Sequence, residues 1–239
     1  MPSRLRIPGI IGGAGPGATA QLYLDIMARC RRAGLERRPP VLIASLDIDL
    51  AMEQRLLREG AGVEGYREPL LASGRALAAA GADFLAIPCN TLHVLLDDLA
   101  RAVPIPVLSI VEAVAREAGK CGCRTVGLLA TTTTARSGLY RDGLKARGIA
   151  VVGISADLQA ALEERIQDEV SQRGPSADTA LEAAILGALA TQGAQAIVAG
   201  CTELKALMAG WTTAVPVIDS LDALGALVVD EMTAARNAP

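Results

Sequence analysis

At 239 residues the chain is half hydrophobic (51%), yet it has only one Phe, three Tyr and one Trp, so its core must be built from Ala, Leu, Val and Ile. A formal charge of −3 and a pI near 5.3 offer no field for a nucleic-acid backbone. No apolar run approaches the roughly 18 residues of a membrane helix, and five cysteines, an odd number, do not imply a disulfide framework in a chain this long. The basic start, Met1-Pro2-Ser3-Arg4-Leu5-Arg6, runs into a short, glycine-broken apolar stretch without a convincing cleavage site, so a secretory signal is not expected. The expectation is a cytoplasmic protein with reduced thiols, no nucleic acid or membrane among its partners, and no cofactor or metal.

In chain order, a predicted strand over 7–11 is followed by a helix over 19–33 and a strand over 41–46. A helix over 63–80 leads to a strand over 84–87, a helix over 92–102, a strand over 107–110 and a helix over 111–118. The pattern then repeats: strand 126–129, helix 135–147, strand 149–154, helices 158–172 and 178–192, strand 196–198, strand 215–218 and helix 221–235. Short apolar runs alternating with Ala-rich helices predict an α/β fold with parallel sheets.

Setting Cys89 against Cys201 aligns Gly81-Ala82 with Gly193-Ala194 and Leu92 with Leu204. Pro106-Val107-Leu108 then answers Pro216-Val217-Ile218, and Glu112-Ala113 answers Asp222-Ala223. An earlier block, Ile11 through Tyr23, matches Leu128 through Tyr140. The chain therefore reads as two similar Rossmann-like halves related by a pseudo-twofold axis, with the active-site cleft between them. The boundaries are 1–106 and 107–219, with the C-terminal helix 220–239 packing back on the first half.

In each half a buried strand ends at a cysteine and a helix follows: Pro88-Cys89-Asn90-Thr91, and Gly200-Cys201-Thr202-Glu203. Ligands of open parallel sheets bind beyond the carboxyl ends of the strands. A thiol there sits at the positive end of a helix dipole, which favours thiolate. Two opposed thiols suit racemisation, in which one removes the α-proton and the other returns a proton to the opposite face. Asn90, Thr91 and Thr202 supply donors for a carboxylate whose charge grows as the carbanion forms. Taken singly, each cysteine also reads as a small buried hydrophobe. Equivalent placement at strand ends in polar surroundings favours chemistry, and Cys30, Cys121 and Cys123 lack that context.

The segments Ile11-Gly12-Gly13-Ala14-Gly15-Pro16-Gly17-Ala18-Thr19, Pro88-Cys89-Asn90-Thr91-Leu92-His93, Leu129-Ala130-Thr131-Thr132-Thr133-Thr134 and Gly200-Cys201-Thr202-Glu203 resemble the aspartate/glutamate racemase superfamily, particularly its aspartate racemase branch. The resemblance spans almost the whole chain. It implies pyridoxal-independent racemisation, in a homodimer, with Cys89 and Cys201 as the acid/base pair and the second cysteine deprotonating the L-form. It also implies that Asn90, Thr91, Thr131 and Thr202 line the carboxylate site, with the loop at Gly13 as the wall of the cleft. By resemblance the substrate is aspartate or a related acidic amino acid. Two positions depart from the pattern: relatives carry basic residues where this chain has Met52, with Arg55 the nearest candidate, and Ala160, beside Gln159.

His93, the only histidine, stands to orient the Cys89 thiol or to cap its helix. Glu203 stands to polarise the second site or to cap. The run 131–134 reads as an anion-binding turn, and Glu163-Glu164-Arg165 as a solvated helix face. Gly13-Ala14-Gly15-Pro16-Gly17-Ala18 fits a loose dinucleotide pattern, weakened by Pro16 and by the distance to Asp47. Other readings of the cleft are a same-fold isomerase or racemase of a non-amino-acid substrate (maleate- or hydantoin-like), a non-catalytic small-molecule binder, and a nicotinamide-dependent oxidoreductase.

Overall fold

The protein's structure, a computed structural model, describes residues 4–49, 51, 52, 55, 62–170 and 178–234. The expected helix residues 171–172 and 235, the rest of the segment 220–239 beyond residue 234, and residues 1–3 of the basic start lie outside the described residues.

The first part of the chain runs β1 (Pro8–Gly12), α1 (Pro16–Arg32), β2 (Leu42–Ser45), a 3-10 turn (Val63–Tyr66), α2 (Arg67–Ala79) and β3 (Phe84–Ala86). A 3-10 turn (Thr91–Leu95), α3 (Leu96–Ala102) and α4 (Ile110–Lys120) follow. The second part runs β4 (Thr125–Leu129), α5 (Thr132–Ser137), α6 (Leu139–Lys145), β5 (Ala150–Val152), α7 (Ala156–Val170) and α8 (Thr179–Thr191). It closes with β6 (Ala196–Ala199), α9 (Leu204–Leu207), a 3-10 turn (Met208–Gly210), β7 (Val217–Asp219) and α10 (Ser220–Thr233).

Two parallel sheets result, ordered β2-β1-β3 and β5-β4-β6-β7. The expected strand at 107–110 is reduced to a single parallel bridge between Leu85 and Val107. Ser109 ends it there, because its hydroxyl accepts from the Glu112 N–H and starts α4. Even so, the Leu85 N–H donates to the Pro106 carbonyl at 2.8 Å, as the Ile197 N–H donates to Pro216 at 2.9 Å. The repeat seen in the sequence is thus a repeat of hydrogen bonds. Close packing marks both central strands: a Cβ on Gly9 would collide with Leu85 and Ala82 and press on Leu77 of the covering helix, and one on Gly127 would collide with Leu189.

Strand register corrects the earlier of the two sequence blocks by one residue. Gly9 pairs with Leu85, and Gly127 with Ile197. Since Leu85 and Ile197 are equivalent, Ile10 corresponds to Leu128 and Gly13 to Thr131, whereas the sequence match had set Ile11 on Leu128. The N-cap of α1 is Gly15, five residues after Ile10, and that of α5 is Thr131, three residues after Leu128, so the first strand-to-helix connection is the longer by two. The expected helix 135–147 is also broken, at Gly138, whose φ of 80 ends α5 and begins α6.

Strands β1, β3, β4 and β6 are buried on both faces, which is why they are apolar without alternation in polarity, whereas the edge strands β2, β5 and β7 carry exposed residues. Their side chains still alternate between clusters. Ile10, Phe84, Ala86, Val126, Leu128, Ala196 and Val198 join one core with α1, α4 and α10. Ile11, Leu85 and Ile87 face α2 and α3. Leu129, Ile197, Ala199 and Cys201 face α7, α8 and α9. The α4 and α10 helices therefore lie in the core shared by the two sheets. Among the described residues no helix is long and apolar enough to cross a membrane.

Candidate active site

Period-two alternation carries both cysteines onto the same kind of face. Cys201 continues the row Ile197, Ala199, and half-buried Cys89 continues Leu85, Ile87. Each follows the carboxyl end of its strand, and the two thiols lie within electrostatic reach, since charge on Cys89 raises the pKa of Cys201. All five cysteines are free. Cys121 and Cys123 flank a turn far along the fold from this row, and among the described residues no group of three His, Cys, Asp or Glu side chains is placed to hold a metal.

The Cys201 thiol donates to Glu203 Oε2 at 3.0 Å, and the Thr202 hydroxyl donates to the same oxygen at 2.7 Å. Burial first, then the Glu203 carboxylate, push the Cys201 thiol well above the ordinary range. This reverses the expectation that a helix dipole would favour thiolate there. The following helix, α9, has only four residues, too short a stack of peptide dipoles to offset a neighbouring carboxylate.

His93 is 2% exposed and bonded at both ring nitrogens. Nε2 accepts from the Ile110 N–H at 3.0 Å, so the proton sits on Nδ1 and is donated to the Cys89 carbonyl at 2.8 Å. Burial lowers its pKa to about 4, so the ring is neutral at physiological pH. It serves as a strut between the Cys89 turn and the first N–H of α4.

Asn90 is consumed by the fold. Its Oδ1 accepts from the buried Tyr140 hydroxyl at 2.5 Å and its Nδ2 donates to Ser220 Oγ at 3.0 Å. Tyr140 and Ser220 escaped the sequence reading because neither stands in a motif. Thr91 meets Thr131 at 3.1 Å and Thr134 at 3.2 Å, and Thr131 bonds Thr134 at 3.0 Å, a buried triangle of hydroxyls drawn from both parts of the chain. Thr131 also caps α5 through the Thr134 N–H.

Glu163 contradicts the solvated-face reading. It is buried at 8% exposure and its Oε2 accepts from the Thr132 N–H at 2.6 Å, whereas Glu164 is exposed as expected. Burial pushes its carboxyl upward from the usual range. Period-3.6 geometry explains the miss, because adjacent residues on a helix face different directions and Glu163 shares its side with Leu162 and Ile166. Replacing Glu163 by Ala is expected to cost about 1–3 kcal/mol by orphaning the Thr132 N–H. Glu163→Gln keeps an acceptor and loses the buried charge. Because the folded-state pKa is raised, native stability falls as pH climbs through it, so the Gln variant gains on the native protein with rising pH. Urea denaturation at pH 5 and pH 8 checks both.

A cavity of about 780 Å³ opens beside the Cys201 loop, lined by Gly13, Gly15, Ser45, Ile48, Glu169, Thr202 and Glu203 among others. Gly13 has a φ of 97, and a Cβ there would lie 2.6 Å from the Leu46 nitrogen, so only glycine fits this wall. A Cβ on Gly15 would lie 3.3 Å from Glu203 Oε1. A pyrophosphate at the start of α1 would face that carboxylate, which speaks against the dinucleotide reading. Arg55 is exposed and is not among the lining residues. Met52 packs against the α2 and α3 cluster. Ala160 lines a separate cavity of about 470 Å³ with Arg136 and Gln159, and Gln159 Nε2 is engaged by the Ala130 carbonyl at 2.9 Å.

A family model described as Asp/Glu/Hydantoin racemase matches residues 11–228. The chain is 26% identical over 216 residues to RacX of Bacillus subtilis, a broad specificity amino-acid racemase, covering 89% of this chain and 92% of that one. It superposes on the crystal structure of an aspartate racemase homologue from Pyrococcus horikoshii with a TM-score of 0.79 at 28% identity, over 96% of this chain and 100% of that one. An aspartate racemase from Picrophilus torridus shares the fold at a TM-score of 0.71 and 21% identity, over 97% and 98% of the two chains.

Proposed function

The chain belongs to the Asp/Glu/Hydantoin racemase family, and from that membership we propose that it is a cofactor-independent amino-acid racemase whose bases are Cys89 and Cys201. The observation that carries this reading is the pair of thiols that follow equivalent strand ends, one in each sheet. The substrate α-carbon lies between them, and its carboxylate lies against the Thr91, Thr131 and Thr134 hydroxyls and Thr202.

In the free enzyme Glu203 holds Cys201 as the thiol. That form is ready to donate a proton while Cys89 removes one. For the L-form, which by resemblance the second cysteine deprotonates, the Cys201 proton passes first to Glu203, leaving thiolate and carboxylic acid. The proton taken from the α-carbon then resides on Cys201, and Cys89 delivers another to the opposite face. Asn90 and His93 act on this chemistry by fixing the Cys89 turn.

The same reading places the enzyme in the cytoplasm, where thiols stay reduced, and as a homodimer. Tyr23 and Leu24 on α1 are exposed, an apolar pair that such an interface would cover. The test is proton NMR of L- and D-amino acids in heavy water with purified protein. Loss of the α-proton signal together with inversion is the expected result; no exchange with any amino acid would point instead to an isomerase of another substrate or to a binder. An acidic side chain, the expectation from resemblance, is one arm of that panel, and the charge of the cavity bears on it directly.

A further inference from the structure

Glu203 and Glu169 both line the cavity beside Cys201, and among the described residues no cation pairs with either. Among the described residues Glu203 is engaged by the neutral donors of Cys201 and Thr202. Glu169, in the last turn of α7, is half-buried and makes no ion pair or hydrogen bond among the described residues. Lys205 is the one basic residue of the lining among the described residues, and Asp222 takes it at 2.6 Å, with Asp219 and Asp25 also acting on its charge. The same lining includes the apolar Leu46, Ile48 and Val170.

A diacid substrate would bring a second carboxylate into a cavity that already holds two, with no free cation among the described lining residues to receive it. Like charges brought together there repel and gain nothing in return. A substrate with two positive groups matches the wall instead. We propose that the side-chain subsite accepts a cationic amino acid, a diamino or guanidino acid of lysine or arginine type. The α-ammonium lies against Glu203 and the terminal cation against Glu169, with the methylene chain along Ile48 and Val170. A charged tip on an apolar stem suits a wall that is apolar with one carboxylate at its end. This inference rests on the racemase reading of the site, and it takes Glu169 as the residue that sets specificity.

The experiment pairs calorimetric titration with α-proton exchange in heavy water, using L-lysine, its neutral analogue L-norleucine and L-aspartate on the native protein, Glu169→Gln and Glu169→Lys. Native protein is expected to favour lysine over norleucine by about tenfold in kcat/KM, the value of one charge-assisted contact. That ratio should collapse in Glu169→Gln, and Glu169→Lys should turn the preference from L-lysine toward L-aspartate. A native preference for aspartate over lysine, or a lysine-to-norleucine ratio unmoved by Glu169→Gln, would overturn the cationic subsite while leaving racemisation standing. Glu169-dependent binding of lysine with no exchange would uphold the subsite and bring down the racemase reading. Absence of both binding and exchange overturns the two together.

Discussion

Alanine at either Cys89 or Cys201 is expected to lower racemisation by about three orders of magnitude in both directions, the scale of a lost general acid or base. Each half-reaction needs both groups, one to take the proton and one to return it, so neither single loss can be confined to one direction of inversion. Exchange without inversion behaves differently. A variant lacking Cys201 still has the base that serves one enantiomer, so deuterium enters that enantiomer with retention. A variant lacking Cys89 shows the same for the other. The pattern is read by NMR for exchange and by chiral chromatography for inversion. Turnover within tenfold of native in either alanine variant would sink the two-thiol mechanism.

Folding is a separate control in this experiment. Cys201 is 7% exposed, and truncating a small buried side chain to alanine costs about 1 kcal/mol, well short of unfolding a domain. Circular dichroism and a denaturation midpoint verify this, and serine at each position repeats the test with nearly native volume. In the native protein, the upward push on Cys201 displaces the alkaline limb of the pH–rate profile above the ordinary thiol range, because activity requires that thiol protonated in the form that Glu203 stabilises.

Acidification is expected to destabilise the fold through His93. Its pKa is about 4 in the folded chain against 6.5 unfolded. Between those values the unfolded chain binds the extra proton and the folded chain refuses it. Stability is therefore full above pH 6.5 and is lost as pH falls toward 4, by about 3 kcal/mol when complete. Both ring nitrogens explain the refusal, since a second proton on Nε2 would face the Ile110 N–H that it now accepts from. Glu163 and Asp219, pushed upward by burial, bind protons early and oppose this slope. The measurement is consequently the difference between native protein and His93→Gln across pH 4–7. The Gln variant is expected to lose about 1–3 kcal/mol at pH 7 through broken bonds and to show a flatter acid slope. As a strut, His93 should also affect turnover by loosening the Cys89 turn, lowering kcat about tenfold with KM held. Disappearance of an acid limb from the kcat profile in this variant would make His93 a proton carrier and overturn the strut.

Much of the fold was legible in the chain because parallel strands buried on two faces must be short, apolar and punctuated. The runs that became β1, β3, β4 and β6 could be little else. Where reading failed, a local hydrogen bond or a single dihedral had decided. Ser109 capped α4 and cut short a strand that Val107 and Leu108 would support by composition, and Gly138 split a helix whose periodicity runs on either side. The one-residue error in matching Ile11 to Leu128 arises because hydrogen-bond register and the lengths of the strand-to-helix connections are set by the fold, and residue similarity alone carries neither.

The sequence by itself determined the class of fold, the duplication, and the two cysteines at strand ends, because these depend on periodicity and on order along the chain. It also named Asn90, Thr91, Thr131 and Thr202 as polar groups near them. Only the tertiary structure decided what those groups face. It committed Asn90 to Tyr140 and Ser220, gathered Thr91 with Thr131 and Thr134, and turned Glu163 inward to the Thr132 N–H. It set Glu203 against Cys201 and left the cavity acidic. Protonation state and charge balance depend on burial and on neighbours distant in sequence, and those are properties of packing that no local pattern of residues contains.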